Sequence, residues 1–177
     1  GASNNTYGLQ AKGVLPGGSV SFPYLAEIAY QTDGADSPFD YEVWYYHLDA
    51  AVKAGKVTVG IGLESLGSDN GRGFQTPLAT LHAFNGWADL FLGTPATGLN
   101  DAYVYFNAQV AKNLAFKSQF HVFGKDSSDF GYGTEIDAAL IYKVDKNFTI
   151  GAKYAQYFAD DFGVDTSRFT FDIGFKF

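Results

Sequence analysis

Along most of the chain apolar and polar residues alternate one for one. The pattern is plainest over the last ten residues, where Phe169, Phe171, Ile173, Phe175 and Phe177 alternate with Arg168, Thr170, Asp172, Gly174 and Lys176. A period of two predicts a strand with one apolar and one wet face. Eight more strands are predicted in the same way. The first runs over Tyr7, Leu9 and Ala11 and stops at Pro16, Gly17 and Gly18. The second carries Phe22, Tyr24, Ala26, Ile28 and Tyr30 opposite Glu27 and Gln31, with Pro23 tolerable mainly near a strand end. The third sets Trp44, Tyr46, Leu48, Ala50 and Val52 against Tyr45, His47, Asp49, Ala51 and Lys53, and the fourth sets Val57, Val59, Ile61 and Leu63 against Thr58, Gly60, Gly62 and Glu64. Further strands follow over residues 102–110, 114–122, 135–144 and 148–157.

The connections add a second pattern. After the first, third, fifth and seventh strands the turns are tight, and after the second, fourth, sixth and eighth they are longer and rich in Asp. This asymmetry belongs to a transmembrane antiparallel up-and-down β-barrel, short on the periplasmic side and long outside the cell. Trp44, Tyr46, Phe148 and Tyr154 lie toward strand ends, where interfacial girdles belong. The expected fold is all-β, one domain over residues 1–177 with a long inward-folded loop at 67–100. Bacterial single-chain barrels have even strand numbers. Nine therefore suggests the C-terminal half of an eighteen-stranded barrel, completed by an N-terminal barrel segment or a second chain. The alternative leaves residues 1–16 outside the membrane and closes an eight-stranded barrel.

Composition agrees with lipid on one side and water on the other. The 177 residues are 46% hydrophobic and 18% aromatic. No apolar run is long enough for a transmembrane helix, and the mean hydropathy of −0.08 is what alternating strands produce. There is no cysteine, so no disulfide framework or thiolate metal site is expected, and the opening residues lack the basic-then-apolar pattern of a signal peptide. A net charge of −7 argues against a nucleic-acid partner. The expected location is the outer membrane of a Gram-negative bacterium, among its lipid and lipopolysaccharide.

The stretch Gly71–Val104 is too apolar for disorder and too long to be idle. It is expected to fold into the barrel and narrow it. Within it, Phe74 to Thr80, His82 to Asp89, Thr94 with Pro95, and Gly98 to Asp101 resemble a segment of the alginate-export family of outer-membrane barrels and its porin-like relatives. The resemblance implies an eighteen-stranded barrel that carries solute across the outer membrane. That family's exporter has a strongly basic pore. Here the inward positions balance Lys12, Lys53, Lys117, Lys143, Lys153, Arg168 and Lys176 against Glu27, Asp49, Glu64, Glu135, Asp137 and Asp172, which argues against a polyanion. The C-terminus resembles the signal read by the barrel-assembly machinery, with Phe175 and Phe177 as its aromatic residues and Asp172 departing from its usual Gly.

No enzyme is expected. His47 shares a face with Asp49, and Lys117 and Gln119 share one with His121, but none of Ser19, Ser21 and Ser118 shares a face with a His and a carboxylate. His82 has no second ligand at metal-site spacing, and the Asp-rich loops do not match an EF-hand, so no metal or cofactor is expected. Gly60 and Gly62 are expected to make room for the inward loop. The residues expected to line the pore are Lys117, His121, Glu135, Asp137, Lys143, Lys153, Arg168 and Asp172, and opposed charges there would orient dipolar solutes. Arg72, His82, Asn85, Trp87 and Asp89 are the expected constriction. The function these features suggest is a porin- or exporter-like channel for passive passage of polar or charged small solutes or oligosaccharides. The alternatives are a small barrel serving as anchor or adhesin, and a lipocalin-like binding barrel.

Overall fold

A computed structural model describes residues 3–77, 85–126 and 131–177. Nine long strands, β1 (Asn4–Gly17), β2 (Val20–Asp33), β3 (Glu42–Ala54), β4 (Val57–Leu66), β7 (Leu99–Ala111), β8 (Leu114–Gly124), β9 (Gly133–Lys143), β10 (Phe148–Ala159) and β11 (Thr166–Phe175), form one sheet. Between β4 and β7 a small hairpin, β5 (Ser68–Asp69) with β6 (Arg72–Gly73), forms a sheet of its own. Every predicted strand is present. The hairpin was not predicted, because two-residue strands leave no alternation to read.

Each strand pairs antiparallel with its neighbour in sequence, β4 pairing across the long loop with β7. The ladder between β2 and β3 lapses at Phe22 and Pro23, whereas β2 stays paired with β1 through both residues. That is how a strand accommodates a residue with no N–H to donate. Among the described residues β1 and β11 are the two edges, and β1 pairs with β2 over its whole length. The closed eight-stranded alternative is therefore corrected: it required residues 1–16 to lie outside the sheet, whereas Asn4–Gly17 form a fourteen-residue strand of it.

The two faces are unlike. Leu9, Ile28, Leu48, Ile61, Val104, Phe120, Ile136, Leu140 and Phe171 stand exposed on one face. Among the described strand residues that face carries one Asp, Glu, Lys, Arg or His, Glu42, at the end of β3. Tyr7, Tyr30, Trp44 and Tyr46 ring it near the long connections, and Phe22, Tyr24, Tyr142 and Phe175 near the short ones. An apolar surface of this extent is not tenable in water, and an apolar band between aromatic girdles is what a bilayer requires. The lipocalin alternative is corrected by the same feature, since its apolar side chains would point inward.

The packed core lies on the other face, at the end with the long connections. Phe91 of the long loop is its centre, with ring centroids 4.6 Å from Phe123, 5.0 Å from Phe162, 5.8 Å from Tyr132 and 6.0 Å from Tyr157. Phe74, Ala88 and Leu99 complete the cluster against Val43, Tyr45 and Leu66 of the wall. Burying a side chain such as Phe91 stabilises by about 1.5–3 kcal/mol. The loop thus supplies the hydrophobic cover that no helix provides among the described residues.

Candidate lumenal site

The loop is tied to the inner wall by hydrogen bonds to side chains of five strands. On β2, Gln31 donates to the Gln75 carbonyl at 2.9 Å and accepts the Gln75 N–H at 2.8 Å. Asn85 donates to Glu64 of β4 at 2.8 Å and to Asp101 of β7 at 3.3 Å. Its own backbone is left-handed, at a φ of 55°, a conformation Asn tolerates better than most residues. The Ala88 N–H donates to Glu135 of β9 at 2.8 Å. Gly86 passes so close above that carboxylate that a Cβ would stand 2.6 Å from it, so only glycine permits the approach. Asp89 forms an ion pair with Arg168 of β11.

Beneath the loop runs a continuous polar wall. Tyr45 donates to Glu64 at 2.7 Å, and the His121 ring lies between Asp101, 2.8 Å from Nδ1, and Asp137, 3.6 Å from Nε2. Further toward the short turns, Tyr103 and Tyr105 of β7 donate to the two oxygens of Asp49 at 3.0 and 2.9 Å, and His47 Nε2 meets the Tyr103 hydroxyl at 2.8 Å. To reach Asp49 on β3 the two phenols must cross β4. They cross at Gly62 and Gly60, where a Cβ would stand 2.1 Å from the ring of Tyr103 and 2.3 Å from that of Tyr105. These glycines make room for tyrosine rings and not for the loop, a correction to the sequence expectation. Gly62→Val is expected to destabilise the folded sheet by about 1–3 kcal/mol, the usual range for overpacking. Urea titration checks this. Tyr103→Ala in the same chain should recover most of the loss, and no recovery would place the cause elsewhere.

The predicted pore-lining residues all face inward, but they divide into two sets. His121, Glu135 and Asp137 are buried, the two carboxylates at 0% exposure, covered by the loop. Lys117, Lys143 and Arg168 are open, and Lys153 is half-buried and paired with Asp172 at 3.2 Å. Of the predicted constriction, Asn85, Trp87 and Asp89 lie against the wall. Arg72 is on the β5–β6 hairpin with its guanidinium 3.6 Å from the centre of the Phe39 ring, and His82 lies outside the described residues. Phe175 faces outward at the end of β11, and Phe177 lies exposed just beyond it. The sequence reading missed Gln31, Glu64 and Asp101 as loop anchors. A carboxylate or amide at an inward position near a long connection was the signal available.

An open antiparallel sheet with an apolar outer face and a loop packed on its inner face is, in fold, half of a porin-like β-barrel. No protein-family model matches the chain, and no curated protein matches it. Among solved structures it is similar to Pseudomonas aeruginosa OccK10 (OpdN), an outer-membrane porin, with a TM-score of 0.73 at 16% identity over 99% of this chain. The match covers 54% of OccK10, so this chain spans about half that porin's length. At this identity the likeness is one of fold.

Proposed function

We propose that this chain forms about half the wall of an outer-membrane channel through which small polar solutes pass passively. One observation carries the reading: the sheet turns an apolar, aromatic-girdled face outward and packs a long loop against a charged face inward. Unpaired strand edges are not tolerated in hydrocarbon, so β1 and β11 would be met by further strands of the same polypeptide or of a second chain. The family resemblance of residues 74–101 supports solute passage of the exporter kind. Phe175 and Phe177 suit the assembly signal. The anchor reading has less support, because it rested on the closed eight-stranded barrel.

Because the wall's carboxylates Glu64, Asp101, Glu135 and Asp137 are buried while Lys12, Lys53, Lys117 and Lys143 are open, the passage is basic although the chain is acidic. The test is reconstitution of the full polypeptide carrying this segment into planar bilayers. Stepwise, ohmic conductance is expected. A protein that folds to the same sheet without detergent or lipid and conducts nothing would overturn the reading.

A further inference from the structure

Asp49 is held in an unusual way for a lumenal carboxylate. Two phenols from β7 reach it across two glycines of β4, one on each oxygen, and each oxygen retains a lone pair for a further donor. The group is thus fixed in orientation before any solute arrives. It borders two adjoining hollows. One, of about 220 Å³, is lined by Asp49, Glu64, Asp101, Asn107 and Gln119 with the two tyrosines. The other, of about 390 Å³, shares Asp49, His47 and Tyr103 and adds Lys12, Pro23 and Leu25.

Lys12 and Asp49 stand at one register level, Lys12 opposite Leu25 and Leu25 opposite Asp49. Their strands are two spacings apart, roughly 10 Å, and only the apolar Leu25 lies between them. The two side chains form no direct ion pair. The hollow that both line leaves room for a bridging molecule with a cationic group at one end, an anionic group at the other, and hydrogen bonds of about 2.8 Å to each partner. Lys12 is exposed and forms no ion pair among the described residues.

Resting on the channel reading, we infer that Asp49 and Lys12 form a lumenal site for small zwitterions. The ammonium of the solute docks on Asp49, with the Tyr103 face beside it, and its carboxylate docks on Lys12. The uncharged Leu25 between them disfavours a second charge there. A solute bearing only one of the two charges fills half the site.

The test uses proteoliposomes of the full polypeptide and compares the influx of glycine with that of glycolamide, a neutral molecule of similar size. Glycine is expected to enter faster by about two- to fivefold, the range a partly screened charge pair supplies. Asp49→Asn and Lys12→Gln should each bring the ratio toward one. The ratio is taken within each vesicle sample, so it does not depend on how much protein inserts. Lys12 is exposed on the strand, so K12Q gives a readable result even if D49N assembles poorly. Equal influx of the two solutes in a conducting, unaltered pore would overturn the site alone, and so would a ratio unchanged in both variants. Absence of any ion conductance in the folded protein would overturn the channel itself.

Discussion

Removing residues 74–97 raises the single-channel conductance severalfold in the expected result, provided the barrel still assembles. The loop lies inside the wall, with Phe91 and Phe74 in the core and backbone or side-chain bonds to Gln31, Glu64, Asp101 and Glu135. In the proposed channel its volume would be taken from the cross-section open to ions. The deletion also removes the core's cover, so a milder variant is needed beside it. Glu135→Leu withdraws the acceptor of the Ala88 N–H, and a buried donor left unsatisfied costs about 1–3 kcal/mol. The loop should then leave the wall part of the time. Single-channel records would show flicker to a wider level, and protease would cut the loop sooner than in the parent. Unchanged current in a correctly folded deletion would mean that the loop does not narrow the passage.

The second large effect concerns ion preference. With a formal charge of −7 the chain invites the expectation of a cation-preferring pore. The structure leads to the opposite. Glu64, Asp101, Glu135 and Asp137 are each less than a tenth exposed, whereas Lys12, Lys53, Lys117 and Lys143 are open. Of the remaining inward acids, Glu27 accepts from Gln10 at 2.6 Å, Asp49 accepts from Tyr103 and Tyr105, and Asp172 is paired with Lys153. Reversal potentials across a salt gradient are expected to report anion preference, and the triple variant K53E/K117E/K143E should invert it. The preference should be strong near 0.1 M salt, where charges act over about 10 Å, and fade toward 1 M, where they act over about 3 Å. Cation preference in the parent, or no shift in the triple variant, would show that other parts of the wall set the selectivity.

Alternation alone was enough to place all nine long strands, to say which side chains of each share the apolar outer face, and to separate short turns from long connections. The reason is local: the pleat sends successive side chains to opposite faces, so facing is written in one strand without knowledge of its neighbours. The loop was expected to fold inward because a stretch holding Phe74, Trp87, Phe91 and Leu99 has to be covered somewhere. What no local pattern contains is which inward group meets which. Glu135 and Lys117 share an inward-facing parity, yet one is sealed under Gly86 and the other is open to the passage. That division depends on where the loop lands, and with it the sign of the lumenal field. The pairing of Tyr103 and Tyr105 with Asp49 is likewise set by register across three strands, with Gly62 and Gly60 between them. Such contacts join residues more than fifty positions apart, and only the pairing of β3, β4 and β7 in the sheet brings them within hydrogen-bonding distance.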